Sequence, residues 1–167
     1  MKLSEAVLSE FLRNSIQNGL ILDTNAFLPA FTEVEVDREE KRIVRGIIGY
    51  CNNKGGKIIL TPHILAEITN LVINRPRRGV TPEDADKTVM ALNDIIEHYA
   101  SKDQIMCYSE FRRFGFADMS ILEACRKKGC AVLTKDESLC AELYNHKCSV
   151  MNFATLANQS LILDLYK

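Results

Sequence analysis

Short, wholly apolar stretches recur along the chain between longer segments whose apolar positions repeat at helical spacing. LILD (20–23), KIIL (57–60), CAVL (130–133) and residues 148–151 are each about four residues long, with polar or turn residues on either side. That length and lack of alternation predict strands buried on both faces. Residues 4–17 carry an amphipathic helical pattern that stops near Gly19, and residues 38–53 another, closed by Asn52, Asn53, Gly55 and Gly56. Thr61-Pro62 opens a helix, because threonine caps well and proline fits the first turn, and the pattern fades at Asn74-Arg75-Pro76. Thr81-Pro82-Glu83-Asp84 opens the next, with acids where the positive helix terminus favours them, and its pattern continues to about Ala100. Residues 105–108 read as a short strand, 117–128 as a helix ended by Gly129, and 135–145 as a further helix. The last segment, LILDLYK, fits either an edge strand or a short helix.

Buried strands alternating with helices predict an α/β fold with a parallel sheet, right-handed crossovers and helices on both faces. Ligands gather at the carboxyl ends of such strands, which directs attention to the residues that follow each one. The 167 residues suit one domain, with an extra N-terminal helix (about 4–17) and a helical insert (about 75–100). A chain of this size buries roughly 70% of its unfolded surface and needs no disulfide or metal to fold. The net charge of −1 excludes a broadly basic nucleic-acid-coating protein but not a local basic patch. The N-terminus lacks the continuous apolar core of an export signal and no apolar run exceeds four residues, so a cytoplasmic location away from membranes is expected. None of the six cysteines forms a C-x-x-C pair, and they read as buried free thiols. A zinc site using His146 and Cys148 lacks an obvious second pair of ligands.

Four acids stand near the predicted strand ends. Asp23 closes the first strand, with Asn25 beside it. Glu67 lies on the flank of the helix after the second strand, its apolar stripe being Ile64, Leu65, Ile68, Leu71 and Val72. Asp118 projects with the apolar stripe Ile121, Leu122 and Cys125, while Ser120, Glu123, Arg126 and Lys127 point away. A carboxylate on the buried side is costly unless a cation or several donors satisfy it. Asp136 follows the third strand; the T-x-x-E run from Thr134 to Glu137 reads as a capping box, which leaves Asp136 free for other duty. Taken singly, each acid is also explained as a turn, cap or surface residue. Together at one sheet edge, they would repel and raise one another's pKa unless a divalent cation neutralised them. Oxygen ligands favour Mg²⁺ or Mn²⁺, and such an ion suits phosphodiester hydrolysis.

The segments LILDTNAFL (20–28), TPHILAEITNL (61–71), FGFADMSILEACRKKG (114–129) and AVLTKDESL (131–139), in that order, resemble the PIN-domain family of metal-dependent ribonucleases. The resemblance spans residues 20 to about 155. It implies a three-layer α/β/α sandwich around a parallel sheet of about five strands. It assigns the four acidic positions to Asp23, Glu67, Asp118 and Asp136, with Asn25 and Thr134 at flanking polar positions. It further implies endonucleolytic cleavage of RNA with one or two Mg²⁺ or Mn²⁺ ions, leaving a 5′-phosphate and a 3′-hydroxyl. Many small members are VapC-type toxins restrained by an antitoxin whose tail enters the acidic site, and many form homodimers. The N-terminal helix and the middle insert depart from the usual toxin pattern.

An acidic site repels RNA, so cations are needed around it. Arg75, Arg77 and Arg78 cluster in the loop after the Glu67 helix, and Arg112 and Arg113 precede the Asp118 helix among Phe111, Phe114 and Phe116. Arginines with exposed aromatics bind phosphates and stack bases, although core packing is the commoner role for phenylalanine. His63, close to Glu67, reads as a structural histidine, with contact to substrate as the other reading. A structure-specific DNA nuclease, a non-catalytic nucleic-acid-binding PIN scaffold and a phosphorylatable signalling domain are the competing readings; no aspartate follows KIIL directly, which counts against the last.

Overall fold

A computed structural model describes residues 5–33, 37–74, 76 and 79–156. Helix α1 (Glu5–Gln17) leads into β1 (Leu20–Leu22), α2 (Thr24–Phe31), α3 (Arg38–Asn53), β2 (Ile58–Leu60) and α4 (Pro62–Thr69). A π-helical turn over Asn70–Asn74 extends α4. Then come α5 (Pro82–Leu92), β3 (Ile96–Glu97), α6 (Lys102–Met106), α7 (Phe111–Lys128), β4 (Ala131–Thr134), α8 (Glu137–Asn145), β5 (Ser149–Asn152) and α9 (Phe153–Leu156).

The five strands form one parallel sheet in the order β3-β2-β1-β4-β5. β1 is central, with Leu20 level with Ile58 on one side and Ala131 on the other. Every residue of β1, β2 and β4 is buried, as their unbroken apolar runs predict. Helix α1 packs on α3 and the sheet, and α3 on α9, while α7 packs on β4, α6 and α8. These are the two outer layers of an α/β/α sandwich. From β1 the chain moves outward to β2 and β3, then returns past β1 to β4 and β5. The reversal places a crevice at the carboxyl ends of β1 and β4.

Several elements differ from the sequence pattern. The helix expected to reach Ala100 ends at Leu92, because Asn93 and Asp94 are poor helix formers and the β-branched Ile95-Ile96 pair enters edge strand β3. The insert is therefore helix plus strand. Residues 105–108 belong to the end of α6 and the turn after it, because Ser101 and Gln104 form a reciprocal capping box that starts a helix there. Helix α7 starts at Phe111 and is broken at Gly115, whose φ of 79° and ψ of −168° are non-helical. The thiol expectation holds for Cys51, Cys125 and Cys130, whereas Cys107 is exposed and Cys140 and Cys148 are half-buried; all six are free. LILDLYK lies outside the described residues. Among those described, no helix is long and apolar enough to cross a membrane.

Candidate active site

The carboxyl end of β1 turns directly into α2, and Asp23 is the hinge of that turn. Its Oδ1 accepts the backbone N–H of Thr24 at 2.7 Å. Its Oδ2 accepts the Thr134 hydroxyl and the Asn25 amide, each at 2.6 Å. Asn25 is fixed in turn, because its Oδ1 accepts the Lys135 N–H at 2.8 Å. Two strand ends, β1 and β4, are thereby tied across the crevice.

Thr134 does not cap α8, contrary to the T-x-x-E reading. Asp136 is the N-cap, its Oδ1 accepting Ser138 N at 2.7 Å, Ser138 Oγ at 2.7 Å and Leu139 N at 3.0 Å. A carboxylate adjacent to the first helical residue outcompetes a hydroxyl two residues further back. Asp136 is thus not free of structural duty, but among the described residues its Oδ2 accepts nothing. The released Thr134 hydroxyl donates to Asp23 and accepts the Asp136 N–H at 3.0 Å.

Glu67 is exposed on α4, and the Thr24 hydroxyl donates to its Oε2 at 2.8 Å. Hydrogen bonds therefore link Glu67, Thr24, Asp23, Thr134 and Asp136 in turn, Thr24 and Asp136 using backbone N–H groups toward Asp23 and Thr134. Thr24, which sequence reasoning passed over, is the only side chain seen to join the second acid to the first among the described residues. Its visible signal was the polar run Asp23-Thr24-Asn25 directly after an apolar strand.

Asp118 sits half-buried on α7 with no hydrogen-bond donor among the described residues. Burial first, then the charges of Asp23, Asp136 and Glu67, push its carboxyl up to about 7. Burial also raises Asp23, against the pull of its Thr134 and Thr24 hydrogen bonds. Asp136 moves the other way, lowered by its bonds to Ser138 and Leu139. The four predicted acids thus lie within electrostatic reach of one another on one side of the sheet edge, and Asp118 is the one whose carboxyl is pushed up to about 7.

They do not converge as tightly as a pre-formed ion cage. Among the described residues, the one trio with ligand atoms within 4.8 Å of one another is Glu110, Glu142 and His146. Glu142 and His146 there already pair at 3.1 Å, and Cys148 is not a member.

Two flanking expectations need correction. Ser120 and Glu123 point inward, not away: Ser120 Oγ lies 2.7 Å from Thr61 Oγ1 and donates to Ala117 O, while Glu123 accepts from the Tyr108 hydroxyl and pairs with Lys127. Thr61 therefore joins α4 to α7 and makes no side-chain cap bond. Phe111 and Phe114 pack against the core, but Phe116 is 38% exposed. Arg112 and Arg113 are exposed in the first turn of α7, with the Arg113 guanidinium 4.8 Å from the Phe114 ring centre. Arg75, Arg77 and Arg78 lie outside the described residues. Asn152, at the end of β5, was also missed; its amide donates to Lys135 O at 3.2 Å and steadies the turn between Thr134 and Asp136.

A family model described as PIN domain matches residues 20–141. No curated protein sequence matches the chain.

Proposed function

The chain belongs to the PIN-domain family, whose members are generally nucleases that use divalent metals, and on that footing we propose that it is a divalent-metal-dependent endoribonuclease hydrolysing RNA phosphodiesters. The observation that supports this best is Asp118: a half-buried carboxyl with no hydrogen-bond donor among the described residues, within electrostatic reach of Asp23, Asp136 and Glu67. Such an arrangement is unfavourable as it stands and favourable around a cation. The donor set fits a hard ion, because it is all oxygen, and Mg²⁺ or Mn²⁺ is the choice for such ligands. Asp23, Glu67, Asp118 and Asp136 would hold it, Asp136 through Oδ2 and Glu67 through Oε1, the oxygens their other bonds leave open.

When bound, the ion supplies a more acidic water and offsets charge on the phosphate. The chain's own residues do the positioning. Thr134 and Asn25 clamp Asp23, the Thr24 hydroxyl holds Glu67, and Asp118, which keeps a proton most readily while no cation offsets its acidic neighbours, would release it on taking the ion. Arg112 and Arg113 supply cationic contacts for the RNA backbone.

Asp23→Asn and Asp118→Asn test the reading. Asparagine caps α2 nearly as well as aspartate, so the fold should hold in Asp23→Asn. Each variant is expected to lose Mn²⁺-dependent cleavage of labelled RNA by about two orders of magnitude or more, with unchanged circular dichroism. Full activity in either variant, or in excess EDTA, overturns the proposal. Preference for single-stranded or flap DNA over RNA moves it to a DNA nuclease, and absence of Mn²⁺ binding by calorimetry to a scaffold. Growth arrest of a bacterial host by wild type but not by Asp23→Asn would support a toxin role, with an antitoxin as partner. Sedimentation reads the homodimer that the family resemblance suggests.

A further inference from the structure

Beside the acids lies a cluster of rings that the reading above does not use. The His63 and Phe116 rings stack at 5.3 Å between centres with 28° between planes, and Phe111 meets Phe116 edge-on at 4.8 Å and 75°. Both stacked residues are attached to acid-bearing segments: His63 is one helical turn before Glu67 on α4, and Phe116 is two residues before Asp118 on α7. The Thr61–Ser120 hydroxyl contact locks the start of α4 to α7, which fixes one ring against the other.

Phe116 stays 38% exposed although Phe111 and Phe114, on the same segment, pack against the core. The backbone explains why. Gly115 has φ +79°, and a Cβ there would meet nothing within 4 Å, so the glycine serves a backbone angle and not a tight fit. The break takes Phe116 off the line of the preceding helical turn and lays it against His63.

We propose that the His63–Phe116 pair is a stacking platform for an unpaired base of the RNA bound at the acidic site. The inference rests on the nucleic-acid reading above. A partly exposed aromatic pair beside a charged site stacks a base on whatever π-surface it leaves uncovered, whereas a paired base has both faces covered by its neighbours. Arg112, exposed and without an ion-pair partner among the described residues, stands four residues before Phe116 and complements the phosphate charge.

The chain has no tryptophan, so Phe116→Trp would introduce a sole indole reporter at the platform. Phe116→Leu keeps an apolar side chain but no ring. Both are made in the Asp118→Asn background, which lowers the local negative charge and prevents turnover, and binding of a short labelled RNA is measured in Mg²⁺ as a single strand and as a duplex. The expected result is single-strand binding about ten-fold or more tighter than duplex. Phe116→Leu should lose most of that preference, and Phe116→Trp should keep it and show indole quenching by the single strand. Equal affinity for both RNAs, an unaltered preference in Phe116→Leu, or no quenching in Phe116→Trp overturns the platform. Wild-type cleavage is scored separately: Phe116-dependent strand binding without any Mn²⁺-dependent cutting overturns the nuclease reading alone, and cutting without strand preference overturns the platform alone.

Discussion

Asp118 combines partial burial with the nearness of three acids and has no donor among the described residues, so its ionisation is disfavoured on two counts. Its carboxyl titrates at about 7 in the native chain against 3.8 as the ordinary value. Between those values the folded state binds the proton that the unfolded state has released, so stability falls as pH rises through the window and levels above it. Asp118→Asn removes the penalty. In EDTA its Tm should match wild type near pH 4 and exceed it at pH 8. Solvent screening of a half-exposed group limits the gain to on the order of 1 kcal/mol, or roughly 2–4 °C. A variant less stable than wild type at pH 8 would contradict this account. Asp136 was legible as a strand-end acid but not as a helix cap, because the pattern around it offered two capping residues and only their geometry decides between them.

The strands were readable as elements because each central one is a short apolar run, and the start of α5 and the end of α7 because the Thr81–Asp84 capping box and the left-handed Gly129 are local. Edge strand β3 was not, since its two residues, Ile96 and Glu97, are both exposed and carry no burial pattern. The joining contacts, Thr24 to Glu67 and Thr61 to Ser120, were equally invisible, being made between residues 43 and 59 positions apart. One element-scale demand is sharp. Gly19 enters β1 with φ +100°, and an added Cβ would press on the Ile59 side chain and lie 3.2 Å from Lys57 O. Gly19→Ala should therefore cost about 1–3 kcal/mol, read as a lower urea midpoint with an unchanged slope; an unmoved midpoint would show that β1 and β2 can yield there.

At the scale of the molecule, a net charge of −1 conceals a concentration of acids at one sheet edge. A cation that binds only the folded chain stabilises it by mass action, by about 2.7 kcal/mol at a hundred-fold excess over Kd. Mn²⁺ at that excess should raise Tm by about 5–10 °C at pH 8. At pH 5, where the Asp118 proton competes for the site, the rise should be smaller. Equal rises at both pH values would separate metal binding from Asp118. Strand β4 wedges in next to β1 although some 110 residues of chain separate them. During translation, Asp23 emerges early and waits without its threonine anchor, while Asp118 and Asp136 are still to be made. A polypeptide truncated before residue 131 consequently lacks β4, Thr134 and Asp136, and its Asp23 carboxylate has no hydroxyl from the neighbouring strand to hold it in place.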